Sequence, residues 1–123
     1  MTLGALVAST SPLQAQDLAV TTAVVATGVE DREPVGTGAS FSADVQELVF
    51  YTVLEGGFTQ RVVEHVWVRN GEEVARVPLT VSGPRWRTWS TKTIPEDWTG
   101  EWEARIEDAD GSVLARAAFQ VGG

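Results

Sequence analysis

One histidine, no cysteine and seventeen carboxylates set the chemistry open to this chain of 123 residues. His65 is the only imidazole, and a nucleophilic triad built on it would need an activated serine. No Gly-x-Ser-x-Gly elbow is present, and nothing else sets a serine on a sharp strand-to-helix turn. His65 therefore reads as a packed or hydrogen-bonded sheet residue. Zinc needs several His or Cys ligands, which one histidine cannot supply, so no metal is expected. Glu101 and Glu103 lie two apart on one strand face, near the ~7 Å repeat of a strand. That falls within the roughly 5–9 Å that separates paired glycosidic carboxylates. They alternate, however, onto a face shared with Arg105 and Glu107 that reads as solvated. "EDADGS" (Glu107 to Ser112) has part of a calcium loop but lacks the full acidic series and the distal Glu; a hairpin turn accounts for it. "GTGAS" has no lysine or helix after it and is no phosphate loop. No catalytic residue and no cofactor is expected.

The stretch "PRWRTWSTK", Pro84 to Lys92, stands apart. It holds three of the nine cationic side chains and two of the five tryptophans of a chain whose net charge is −8. On a strand, Trp86 shares a face with Thr88, Ser90 and Ile94, and Trp89 shares one with Arg85 and Arg87. Parity predicts Trp86 inward and Trp89 outward beside two guanidinium groups, unless a bulge or second layer covers it. Arg85, Arg87, Trp89 and Lys92, with Trp98 of "PEDWTG", are the candidate partner-binding residues. Trp98 is expected to cap one end of the fold, with an exposed platform as the alternative. If the cluster is an interface, removing Trp89 and Arg87 together should leave the melting temperature nearly unchanged. The acidic balance argues against nucleic acid, whose phosphates require a basic footprint.

The elements that position these residues are strands. No segment has a convincing helical period. Leu18 to Val29 is β-branched and reads as a first strand, and Glu30 to Asp44 as a long connection. Gln46 to Leu54 is apolar on both alternating faces, as in a central strand covered on both sides. In "GEWEARIEDADGSVLARAAFQV", a two-residue loop at Asp110-Gly111 sets Ile106 opposite Ala115 and Trp102 opposite Phe119, matching two apolar faces. A three-residue loop would set Ala104 against Arg116. In "RVVEHVWVRNGEEVARVPLTV", a two-residue loop at Asn70-Gly71 turns His65, Trp67 and Arg76 outward as a second candidate patch. A glycine-bulged turn instead buries His65 and Trp67. The large apolar area of the indole favours the second arrangement.

These signals predict an all-β fold, an immunoglobulin-like antiparallel β-sandwich of about seven strands, with a small barrel as the alternative. Residues 1–15 read as an export signal without its cationic front: an apolar run from Leu3 to Ala8, then "LQAQ" with small Ala15 as a cleavage point. That run is too short to span a bilayer. Residues 16–123 read as a single domain, held without disulfides by packing and backbone pairing.

"TGVEDREPV", "FSADVQELVFYT", "HVWVRNG", "PRWRTWSTK" and "GEWEARIEDADGSVLARAAF" occur in this order over roughly Ala23 to Val121. Together they resemble the bacterial domain of unknown function 2914 family. The resemblance implies a small β-sandwich, often exported or tethered outside a bacterial membrane, with no assigned activity and no catalytic residues to transfer. The expectation for function is a non-catalytic, exported interaction module on the periplasmic or extracellular side. It would be an accessory or structural subunit docking to a larger envelope or membrane protein complex, with no transmembrane segment of its own. The alternative is a carbohydrate-binding module using exposed tryptophans.

Overall fold

Ten strands build the structure, a computed structural model that describes residues 18–122. The expected export signal at 1–15 lies outside the described residues. The strands are β1 (Ala19–Ala26), β2 (Gly28–Glu30), β3 (Glu33–Val35), β4 (Ser40–Phe41) and β5 (Glu47–Glu55). They continue as β6 (Arg61–Arg69), β7 (Glu72–Val81), β8 (Arg85–Thr93), β9 (Gly100–Asp108) and β10 (Val113–Val121). Seven are eight residues or longer, and the other three are short. Sheet order is β1-β5-β8 in one layer and β4-β10-β9-β6-β7 in the other, with β2-β3 as a separate ribbon. The sandwich expected from the sequence is thus the fold, with ten strands rather than seven. The segment read as one first strand is split into β1 and β2. The segment read as a connection contains β3 and β4.

Alternation explains the layers. β5 is the centre of the three-stranded sheet and is buried from Leu48 through Leu54. Its even positions Leu48, Phe50 and Leu54 join Val63, Trp67, Ile106 and Phe119 in the main core between the sheets. Its odd positions Val49, Tyr51 and Val53 form a second cluster on the opposite face, with Val24, Val29 and Trp89 against it. That second cluster is why the strand is apolar at every position.

Both hairpins keep the registers that bury their apolar faces, by unexpected routes. Trp102 pairs with Phe119 and Ile106 with Ala115, as the pattern required. The loop, however, has three residues: Asp108 N–H donates to Ser112 O at 2.8 Å, Gly111 N–H to Asp108 O at 2.9 Å, and Gly111 has φ 89°. A register shift between Val113 and Ala115 takes up the extra residue. In the β6–β7 hairpin, Asn70 (φ 48°) and Gly71 (φ 84°) form a two-residue turn with Arg69 opposite Glu72. A shift between Trp67 and Val68 then sets Trp67 against Ala75 and turns the indole inward. Each bulge costs one unpaired residue and restores a core face.

Candidate functional site

Among the described residues, β8 is an edge strand, paired only with β5. Ile94 N–H donates to Gln46 O and Gly56 N–H to Pro84 O, both at 2.9 Å. These bonds fix the parity of the antiparallel ladder: even-numbered residues of β8 direct their backbone groups at β5. The N–H and C=O groups of Arg85, Arg87, Trp89, Thr91 and Thr93 therefore point to the open side. Their side chains stand on the outer face, while Trp86 packs against the main core. Parity thus places Trp86 inward and Trp89 outward, as expected.

Outward is not exposed. Trp89 is half-buried and stacks on Tyr51, with ring centroids 5.6 Å apart and planes 16° from parallel. The β2–β3 ribbon covers this cluster. Its turn residues Asp31 and Arg32 have φ 51° and 64°, costly for side chains larger than glycine. The Arg32 carbonyl accepts from the Tyr51 hydroxyl at 2.5 Å and from Arg87 at 3.2 Å, and Arg87 also pairs with Glu33 at 3.2 Å. Arg85 meets Glu55 at 3.6 Å and is the more exposed of the two arginines. Beside this strand runs a groove of about 270 Å³, lined by Leu79 and Thr80 of β7 and by Trp86 through Trp89 of β8.

Lys92 and Trp98 do not join that face. Lys92 has the opposite parity; its ammonium lies 5.2 Å from the Trp98 ring, and Arg69 lies 5.5 Å from the same ring. Trp98 packs against the core beside Trp102, which donates to its carbonyl at 3.1 Å. It caps one end of the sandwich.

The second candidate patch does not form. His65 and Trp67 are fully buried because the β7 bulge turns them inward, and only Arg76 remains at the surface. Arg76 bonds Glu73, Glu64 and Glu107, in that order of effect, and these bonds raise its pKa further. Glu107 also accepts from Arg105 at 3.0 Å and is only 6% exposed. The face carrying Glu101 to Glu107 is thus an ion-pair ladder rather than uniformly solvated.

His65 sits in a directed chain of hydrogen bonds between the sheets. The Trp67 indole can only donate, and it donates to Ser90 Oγ at 3.2 Å. Ser90 then gives its proton to His65 Nδ1 at 2.8 Å. His65 Nε2–H donates to Thr52 Oγ1 at 3.0 Å, whose own proton goes to Thr88 O at 2.9 Å. The imidazole is neutral, and burial pushes its pKa down to about 3. Sequence reading missed Thr52 and Ser90 as its partners. The one polar residue in "LVFYTVL" and the inward parity of Ser90 were the signals that could have found them. Among the described residues, no cluster of three or more His, Asp or Glu side chains is placed to hold a metal ion.

Residues 60–121 match the family model described as protein of unknown function (DUF2914). No curated protein matches the chain. Among solved structures, β-glucosidase 3B of Thermotoga neapolitana is similar at 14% identity and TM-score 0.51, over 88% of this chain and 16% of that one. A β-glucosidase of Kluyveromyces marxianus is similar at 10% identity and TM-score 0.51, over 88% and 15%. The chain spans about a sixth of those enzymes, and at such identities the likeness is one of fold.

Proposed function

This chain belongs to the family of proteins of unknown function DUF2914, and we propose that it is a non-catalytic interaction module. In this reading it is an exported accessory subunit docking to a protein of a larger envelope or membrane complex. The observation that carries the proposal is β8, which presents Arg85, Arg87 and Trp89 beside an unpaired backbone edge and a groove. The sole imidazole, spent in a buried hydrogen-bond chain, supports a non-catalytic role. Trp67 and Trp102 are buried and Trp86, Trp89 and Trp98 half-buried, so no tryptophan offers a fully open ring face to a sugar, which favours a protein partner. Export rests on the apolar run from Leu3 to Ala8 and the "LQAQ" that follows it.

The test is capture from detergent-solubilised envelopes with the chain immobilised. A discrete partner should be retained, Arg85→Glu should release it, and Arg116→Glu on the opposite outer face should not. Equal retention by both variants would remove β8 from the interface. A glycan bound in place of any protein would overturn the reading.

A further inference from the structure

Among the described residues, the two main sheets have four edges, and three are blunted. β1 has a register shift between Val20 and Thr22. β4 is only two residues long. β7 has a bulge and also Pro78, which has no N–H to offer a ladder. β8 has neither bulge nor proline: nine consecutive pairs, Glu47–Thr93 to Glu55–Arg85, run without a shift. A long regular edge is a template for another strand, and proteins commonly protect such edges with charge. Here the charge is Arg85 and Arg87 on the outer face, in a chain of net charge −8.

We propose that β8 is a strand-addition site that takes an extended acidic segment of a partner protein, an inference that rests on the interaction-module reading. An added strand would bond the outward N–H and C=O groups of Arg87, Trp89 and Thr91. Its side chains would alternate between two environments. Those on the outer face would meet Arg85, whose long, exposed contact with Glu55 at 3.6 Å can be exchanged for a partner's Glu or Asp, while Arg87 stays held by Glu33 and the Arg32 carbonyl. Those turned inward would enter the groove against Leu79 and Trp86, which suits a branched apolar residue. The chemistry specified is an alternating acidic–apolar strand. A second copy of the chain fits poorly, because joining two β8 edges would gather both copies' Arg85 and Arg87 on one outer face, where like charges repel.

Two synthetic peptides test this, one alternating glutamate with valine and one alternating lysine with valine, each followed by amide exchange and chemical shifts in the full chain. The acidic peptide should protect the amides of Arg87, Trp89 and Thr91, and the basic one should not. Thr91 is exposed and its N–H points away from β5, so Thr91→Pro removes an edge donor without breaking the β5 ladder. This variant should keep its fold and bind the acidic peptide about tenfold more weakly or worse, through the lost hydrogen bond and the ring's obstruction. Protection elsewhere, equal binding by Thr91→Pro, or protection that grows with protein concentration alone would overturn the proposal. If Thr91→Pro still captures an envelope protein, the module reading stands and strand addition fails. If the wild-type chain captures none, the module reading itself fails.

Discussion

His65 and Ser90 are joined across the centre of the sandwich, Nδ1 to Oγ at 2.8 Å, with neither residue more than 5% exposed. A serine–histidine contact in an open cleft would suggest nucleophilic chemistry. Here the serine proton goes to the ring, the ring proton goes to Thr52, and both side chains are buried. The contact ties β6 to β8, one strand from each sheet, and it satisfies the indole of Trp67 as well. It is a polar rivet in an apolar core.

The rivet makes folding sensitive to acid. Folded His65 stays neutral down to a pKa of about 3, while the ring in the unfolded chain has the ordinary histidine value of 6.5. Below pH 6.5 the unfolded chain binds a proton that the folded chain refuses. The contribution is complete above 6.5 and is lost as pH falls toward 3, at about 1.4 kcal/mol per pH unit. Urea midpoints should therefore drop between about pH 6 and about pH 5, above the range where ordinary carboxylates titrate. His65→Gln should flatten that slope. A slope unchanged by the substitution would mean another group is responsible.

Ser90→Ala tests the chain from its other side. It leaves Trp67 Nε1–H and His65 Nδ1 buried without partners, at roughly 1–3 kcal/mol for each orphaned group. Thr88→Ala, which leaves the carbonyl that accepts from Thr52 in place, should cost far less. Equal losses in the two variants' denaturation curves would contradict the hydrogen-bond assignment.

The layers were legible because alternation is a local property: the apolar faces of β9 and β10 selected Trp102–Phe119 without knowledge of the loop. The loops were not. Asp110-Gly111 suits both two-residue and three-residue turns, and only the bulge after Val113 reconciles the turn used with the register kept. Asn70-Gly71 is the mirror case, a two-residue turn whose register is corrected at the bulge before Ala75. The Trp89 site was half legible. Parity gave its direction, but its cover comes from the β2–β3 ribbon more than fifty residues earlier in the chain. Two left-handed non-glycine residues make the turn of that ribbon, and no turn signal marked it.

Trp102→Ala should come close to unfolding the domain. The indole is 3% exposed, stacks on Phe119 at 5.7 Å and bonds the Trp98 carbonyl. Truncating such a side chain costs about 3–5 kcal/mol, against a total near 5–15 kcal/mol for a domain. An unchanged urea midpoint would place Trp102 outside the core.

Removing Trp89 and Arg87 together should not be silent, contrary to what an exposed interface cluster implies. Trp89→Ala takes away the ring that covers Tyr51 and exposes part of the second cluster, which also holds Val49 and Val53. A half-buried indole should cost less than a core one, roughly 1–3 kcal/mol. Arg87→Ala frees the Arg32 carbonyl from one of its two donors and breaks the pair with Glu33, a partly exposed contact worth about 0–1 kcal/mol. Both residues hold the same ribbon, so their effects should be coupled rather than additive. Thermal melts of the two single variants and the double variant measure that coupling in one cycle. Strict additivity would mean the ribbon stays seated without Arg87, held by the Tyr51 hydroxyl alone.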